Sequence, residues 1–188
     1  MHCLFLWCLS IVIIEFLRNP KNTGSVISSS QFLVQEMISH ISPENTIIEL
    51  GAGSGVITRK LAEIQSIDTI YTYENNPIFH KSLIKIDKTI CVSDLFTMKD
   101  RHQHQKVKTI ISSIPFVNFS TETKAKALND ISTVLEHGGK LIQYTYLNRC
   151  PFGADNLREN KLMQTNMKKV WLNFPPATVF VYEKNNNL

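Results

Sequence analysis

The sequence predicts one α/β domain: a mostly parallel sheet of seven strands, with helices on both faces. Three observations lead there. Short apolar runs alternate with segments of helical period, the pattern of parallel strands joined by crossover helices. A glycine-rich turn, Gly51-Ala52-Gly53-Ser54-Gly55, falls between a buried strand and a helix. The last two strand-like runs, Val170–Leu172 and Thr178–Tyr182, have so short a link between them that only an antiparallel hairpin closes it.

The elements follow in order. Ser28–Ser30 offers a cap to a helix with Leu33, Met37 and Ile41 on one face. Thr46–Leu50 reads as a buried strand. After the glycine turn comes a helix carrying Ile57, Leu61 and Ile64. Thr69–Tyr73 is the second strand, and Pro77 sits in the first turn of the helix after it, where a missing N–H is harmless. Thr89–Val92 and Val107–Ile111 are the third and fourth strands. Ser120 caps a helix with Leu128, Ile131 and Leu135, which is expected to stop at Gly138-Gly139. Lys140–Tyr146 is the fifth strand, and the hairpin completes the sheet.

At 188 residues the chain suits one well-cored domain. With 43% hydrophobic and 19% charged residues it has the composition of a folded protein, which argues against disorder. Its formal charge of +4 favours anionic surfaces without choosing between phospholipid and nucleic acid. Cys3, Cys8, Cys91 and Cys150 show no CxxC spacing and no zinc-like cluster with histidine, so free thiols and no metal are expected. His102 and His104 fall in a polar stretch, Asp100–Lys106, expected to be a solvated loop. His137 is expected to interact with helix C-terminal carbonyls.

Residues 1–27 stand apart from the domain proper, 28–184. Cys3–Ile14 is apolar except for Ser10. As a helix it reaches about 18 Å, short of the ~30 Å hydrocarbon core. No Lys or Arg precedes it and no small-residue cleavage site follows, which argues against a secretory signal. Arg18 and Lys21 come next, so a helix lying in the membrane interface and a helix packed on the core are both open readings.

The chemistry concentrates in Glu49-Leu50-Gly51-Ala52-Gly53-Ser54-Gly55. Gly51 permits the turn off the strand, Gly53 allows a ligand to approach the backbone, and Gly55 permits close packing of helix on strand. The GxGxG spacing differs from the GxGxxG of dinucleotide binders. The helix start would face a small anion such as an amino-acid carboxylate. The second strand ends at Glu74, whose carboxylate can accept from both hydroxyls of a ribose. The third ends near Asp94, which can accept from an adenine amino group. A solvated acid is the competing reading for each alone. Together they mark the carboxyl ends of adjacent strands, where open α/β sheets bind ligands.

This arrangement resembles the class I S-adenosylmethionine (SAM)-dependent methyltransferases over about Ser28–Tyr182. The resemblance implies a Rossmann-like sheet with SAM as cofactor. It implies Glu49, Gly51, Ala52, Gly53 and Gly55 around the methionine moiety, Glu74 and Asn75 at the ribose, Asp94 and Leu95 at the adenine, and Ser112 beside the cofactor. A narrower resemblance is to the bacterial phospholipid N-methyltransferases. It rests on Phe16-Leu17-Arg18-Asn19-Pro20-Lys21 with Thr23-Gly24-Ser25, on Ser112-Ser113-Ile114-Pro115-Phe116, on Gln143-Tyr144-Thr145-Tyr146, and on Val170-Trp171-Leu172-Asn173-Phe174-Pro175-Pro176-Ala177.

That family methylates the amine of phosphatidylethanolamine toward phosphatidylcholine. The resemblance implies a peripheral enzyme at the inner face of the membrane, with Ser113, Pro115, Phe116, Tyr144 and Tyr146 at the acceptor. Phe119 is a further candidate wall, and Arg18, Lys21, Arg149 and Arg158 are candidates for the lipid phosphate. Tyr144 and Tyr146 share strand parity, and plain packing competes with an acceptor role for both. The related ribosomal RNA adenine dimethyltransferases carry Asn-(Leu/Ile)-Pro-Tyr where this chain has Ser113 to Phe116. They usually add a helical C-terminal domain too. An RNA adenine acceptor, or SAM binding without turnover, are the alternatives.

Overall fold

The computed structural model describes residues 30–186. The N-terminal segment 1–27 and its interface or core helix lie outside them. Seven strands form one sheet: β1 Thr46–Leu50, β2 Thr69–Tyr73, β3 Thr89–Val92, β4 Val107–Ser112, β5 Leu135–Thr145, β6 Leu162–Val170 and β7 Ala177–Lys184. Their spatial order is β3-β2-β1-β4-β5-β7-β6. β1 to β5 are parallel, and β7 runs antiparallel between β5 and β6.

Strand alternation splits the core between two faces. On one face Ile47, Ile70, Ile111 and Ile142 pack beneath helices α1 (Gln31–Ile38) and α2 (Val56–Ala62), through Leu33, Met37, Ile57 and Leu61. Helix α3 (Pro77–Leu83) buries Leu83. On the other face Ile48, Leu50, Ile110 and Leu141 meet α4 (Met98–Arg101), α5 (Thr121–Val134) and α6 (Ala154–Glu159), through Met98, Leu128, Ile131 and Leu157. Ser30 caps α1 by accepting the Leu33 amide, Asn76 caps α3, and Ser120 caps α5. Each cap satisfies a first-turn donor that the helix itself leaves open.

Glu44 holds the entry to β4. Its buried Oε2 accepts from the amides of Lys108 (2.9 Å) and Thr109 (3.2 Å). Among the described residues no helix is long and apolar enough to cross a membrane.

Several boundaries differ from the sequence expectation. Helix α1 ends at Ile38, before Ile41, and Ile64 lies beyond α2. Helix α5 stops at Val134 rather than at Gly138-Gly139, because Leu135 pairs with Val107 and opens β5. Gly138, at φ +74°, then lies inside an irregular stretch of that strand. His137 therefore caps no helix; its Nδ1 accepts the Asn186 amide at 3.4 Å.

The sixth strand is Leu162–Val170, not Val170–Leu172. It is an edge strand whose interior residues are almost all exposed, so it carries no apolar period to read. Helix α6 was not anticipated. His102 is buried rather than solvated. Its ring stacks edge-on to Tyr71 at 4.6 Å, and its Nε2 lies 3.2 Å from the Tyr73 hydroxyl. Burial, aided by Arg101, lowers the His102 pKa and keeps the ring neutral.

Truncation separates core from cap. Leu128→Ala should cost about 2–5 kcal/mol, and Ser120→Ala about 1 kcal/mol. Chemical-denaturation midpoints of the two variants check the ranking.

Candidate active site

Parallel pairing sets the ends of β1, β2, β3, β4 and β5 along one edge of the sheet. Leu50 stands against Tyr73 and Ser112, Tyr73 against Val92, and Ser112 against Gln143. The turns that follow these residues carry most of the sequence-predicted site.

The glycine turn leaves β1 with Gly51, whose amide donates to the Tyr73 carbonyl at 2.7 Å. Two of its glycines are required for different reasons. Gly53, at φ +52°, has open space where a Cβ would stand, which leaves its backbone accessible to a ligand. Gly55, at φ +80°, has none: a Cβ would lie 2.6 Å from Ile86 Cδ1 and 3.0 Å from Leu83 Cδ2. Its close packing is therefore against the end of α3 rather than against the strand.

Glu74 closes over this turn. It is largely buried, and its Oε2 accepts the Gly53 amide at 2.8 Å while Oε1 accepts the Asn76 amide at 2.8 Å. The side chain thus locks the β1–α2 turn to the β2–α3 turn. Each carboxylate oxygen keeps a further lone pair for an incoming hydroxyl.

Asn75 beside it is exposed. Asp94 is exposed too, and its Oδ1 caps the 3-10 turn Leu95–Thr97 by accepting the Phe96 amide at 2.9 Å. Leu95 packs half-buried against the α5-face core. Ala52 is buried, and buried Ser112 accepts the Ile114 amide at 3.2 Å.

Glu49 lies wholly inside the protein beneath the turn. Its Oε2 accepts the Thr58 hydroxyl at 2.6 Å, and its Oε1 has no hydrogen-bond partner. Burial pushes its carboxyl up to about 7; the Thr58 hydrogen bond opposes this and the Glu74 charge adds to it. An unpartnered acceptor under an open glycine backbone fits a ligand that brings hydrogen-bond donors.

At the other end of the site the structure separates residues that the sequence grouped. Phe116 is fully buried on the α5 face, against Phe119 at 5.3 Å and Phe152 at 5.1 Å, so it is a core ring there. Ser113 and Pro115 are half-buried in the segment after β4, and the Ser113 amide donates to the Leu50 carbonyl at 2.8 Å. Tyr144 and Tyr146 lie across the sheet on the α1 face, with ring centroids 5.6 Å apart. The Tyr146 hydroxyl lies beside Tyr144 and Asn173. Burial, with Tyr144 beside it, raises its pKa far above the usual phenol value.

Arg149 is exposed just after β5. Arg158 pairs with Asp155 on α6 at 2.6 Å. That helix leads into Leu162, which pairs with Lys184 at the opposite edge of the sheet, so Arg158 stands away from the site. Arg18 and Lys21 lie outside the described residues. Among the described residues no group of three His, Cys, Asp or Glu could hold a metal.

Sequence reasoning missed two buried amides. Gln143 sits beside Ser112, its Nε2 donating to the Ile114 and Tyr144 carbonyls, while its Oε1 is unpartnered. Asn173 accepts the Ser30 amide at 2.9 Å and donates to the Pro175 carbonyl at 2.7 Å. A polar residue within an otherwise apolar closing segment was the one available signal for Asn173.

The fold and this edge define a Rossmann-like, methyltransferase-type α/β domain. A 1,6-didemethyltoxoflavin-N1-methyltransferase of Burkholderia thailandensis, solved with that compound and S-adenosylhomocysteine, superposes with a TM-score of 0.69. The match covers 98% of this chain and 90% of that one at 12% identity. The N-methyltransferase NodS of Bradyrhizobium japonicum, solved with S-adenosylhomocysteine, gives 0.66 over 91% and 97% at 11% identity. An uncharacterized methyltransferase of Anoxybacillus flavithermus is 25% identical over 112 residues, covering 58% of this chain. The chain spans about half the length of that relative, 52%. No protein-family model matches the chain.

Two outcomes test this geometry. Gly55→Ala should lower the thermal midpoint more than Gly53→Ala, because both strain a positive φ but only the first also collides with neighbours. Glu49 and Glu44 both have carboxyls raised to about 7 by burial. A raised carboxyl binds more protons in the folded state, so stability is greatest below the ordinary carboxyl pKa and falls as pH climbs to about 7. Glu49→Gln and Glu44→Gln should each flatten part of that fall in denaturation midpoints taken across this window.

Proposed function

We propose that this chain is a SAM-dependent N-methyltransferase whose acceptor is the amine of phosphatidylethanolamine, reached at the inner face of the membrane. The cofactor assignment rests on the glycine turn clasped by Glu74 above the unpartnered Glu49 oxygen. SAM supplies an electrophilic sulfonium methyl group for in-line transfer to a nucleophile. Gly51, Ala52 and Gly53 would receive its methionine end, with Glu49 beneath and Gly55 holding the turn. Glu74 and Asn75 would hold the ribose, Asp94 and Leu95 the adenine, and Ser112 the side toward the acceptor. These residues bind and orient, and orientation alone lowers such a barrier by several kcal/mol.

The observation that carries the acceptor assignment is the Tyr144–Tyr146 pair at the end of β5, next to the segment from Ser113 to Pro115. An ammonium must lose a proton before it can attack, and a desolvated, aromatic-walled site lowers its pKa. The raised pKa of Tyr146 keeps it a neutral phenol, which orients the amine through a hydrogen bond and does not serve as a base. Aromatic faces also accept the bulkier cations left by successive methylations. Phe116 lies across the sheet in the α5-face core and takes no part in this wall. The resemblance of residues 112–116, 143–146 and 170–177 to the phospholipid N-methyltransferases supports the same choice.

The test uses the whole chain with labelled SAM, phosphatidylethanolamine vesicles and ribosomal RNA. Label should enter the lipid amine. Label in RNA alone, or tight SAM binding with no transfer to either, would replace this reading with one of the two alternatives. Glu74→Gln should weaken SAM binding about tenfold or more, since a hydrogen bond to a charged group contributes about 1.5–3 kcal/mol; calorimetry measures it. Tyr146→Phe should lower transfer to the lipid while SAM affinity stays unchanged.

A further inference from the structure

The loop between β6 and β7 turns at the same sheet edge as the candidate active site. Val170 pairs with Ala177, and the next β7 residue, Thr178, pairs with Thr145 at the end of β5. Three large apolar side chains stand out from this loop: Trp171 is 69% exposed, Leu172 68% and Phe174 70%. They are adjacent in a short turn, and exposing an apolar cluster to water is unfavourable unless a partner covers it.

The loop is built to present them. Asn173, between them, points inward and is 1% exposed. Its bonds to the Ser30 amide and the Pro175 carbonyl leave the alternate residues outside. The same side chain lies beside the Tyr146 hydroxyl.

We infer that Trp171, Leu172 and Phe174 insert into an anionic lipid surface and dock the active-site edge on the bilayer. The inference deepens the lipid-amine reading above and rests on it for the nature of the acceptor. Charge chooses the occupant. Residues 160–182 contain no Asp or Glu, and at the loop end of β6 stand Lys169 and Lys168, the latter paired with Glu36. The Lys169 ammonium lies 4.1 Å from the centre of the Trp171 ring, placing a cation directly behind the apolar tip. Arg149 is exposed on the neighbouring loop, where Asn148 meets Thr178 at 3.4 Å.

An apolar, aromatic tip with Lys169 behind it and Arg149 on the neighbouring loop matches an interface with anionic headgroups above hydrocarbon. The described chain begins at Ser30, whose amide donates to Asn173 within this loop. The sequence has two tryptophans, and replacing Trp7 by Phe leaves Trp171 as the only reporter.

In that full-length variant, vesicles of phosphatidylethanolamine and phosphatidylglycerol should shift Trp171 emission to the blue. Lipids brominated on the acyl chain should quench it. Leu172→Glu with Phe174→Glu should weaken vesicle co-sedimentation about tenfold or more. SAM affinity should be unchanged, which shows that the double variant is folded.

Trp171 shielded from acrylamide equally with and without vesicles, and untouched by brominated lipid, would mean that residues 3–14 cover the loop; it would overturn the inference. Phosphatidylethanolamine methylated without Trp171 quenching overturns this inference and leaves the lipid-amine reading standing. Quenching without label in lipid keeps the docking surface and overturns that reading.

Discussion

Glu74 accepts the Gly53 amide and the Asn76 amide at once, and the rest of the site is arranged around that clasp. The bond joins the turn after β1 to the turn after β2, two pieces of backbone that no ladder hydrogen bond connects. A glycine turn at positive φ is entropically costly to order, and a largely buried carboxylate that takes its amide offsets part of that cost. It also fixes the carboxylate before any ligand arrives. Acceptors already held in place lose little freedom on binding, so more of the interaction energy appears as affinity.

Beneath the clasp the protein leaves polar capacity unused. The Glu49 and Gln143 side-chain oxygens are buried without partners, at the carboxyl ends of β1 and β5. In an apolar interior such groups are unfavourable, and two of the three found among the described residues lie at this edge of the sheet. The third is Glu44 Oε1, at the opposite end of the strands. There the partnered oxygen takes two backbone amides at the entry to β4, and the role is to hold the strand in place.

A second tie is made by Asn173. It connects the first described residue to the β6–β7 turn, beside Tyr146. The two tyrosines lie on the α1 face and Phe116 on the α5 face. An acceptor site therefore draws its aromatic surface from one side of the sheet.

The sequence by itself determined the strand–glycine–helix motif, the positions of β1 to β4, the acids at the ends of β2 and β3, and the antiparallel closing pair. These are local signals: apolar runs, caps, a proline and glycines act within a few residues of where they sit. Only the tertiary structure decided the span of β6, because an exposed edge strand has no apolar period. It alone decided where α5 ends, because a long-range pairing of Leu135 with Val107 outweighs the glycine stop. The Gly53–Glu74 clasp, the burial of His102 and Phe116, and the reach of Asn173 likewise join residues far apart in the chain. Such contacts exist only once the sheet has brought its strand ends together, so nothing in the local sequence could register them.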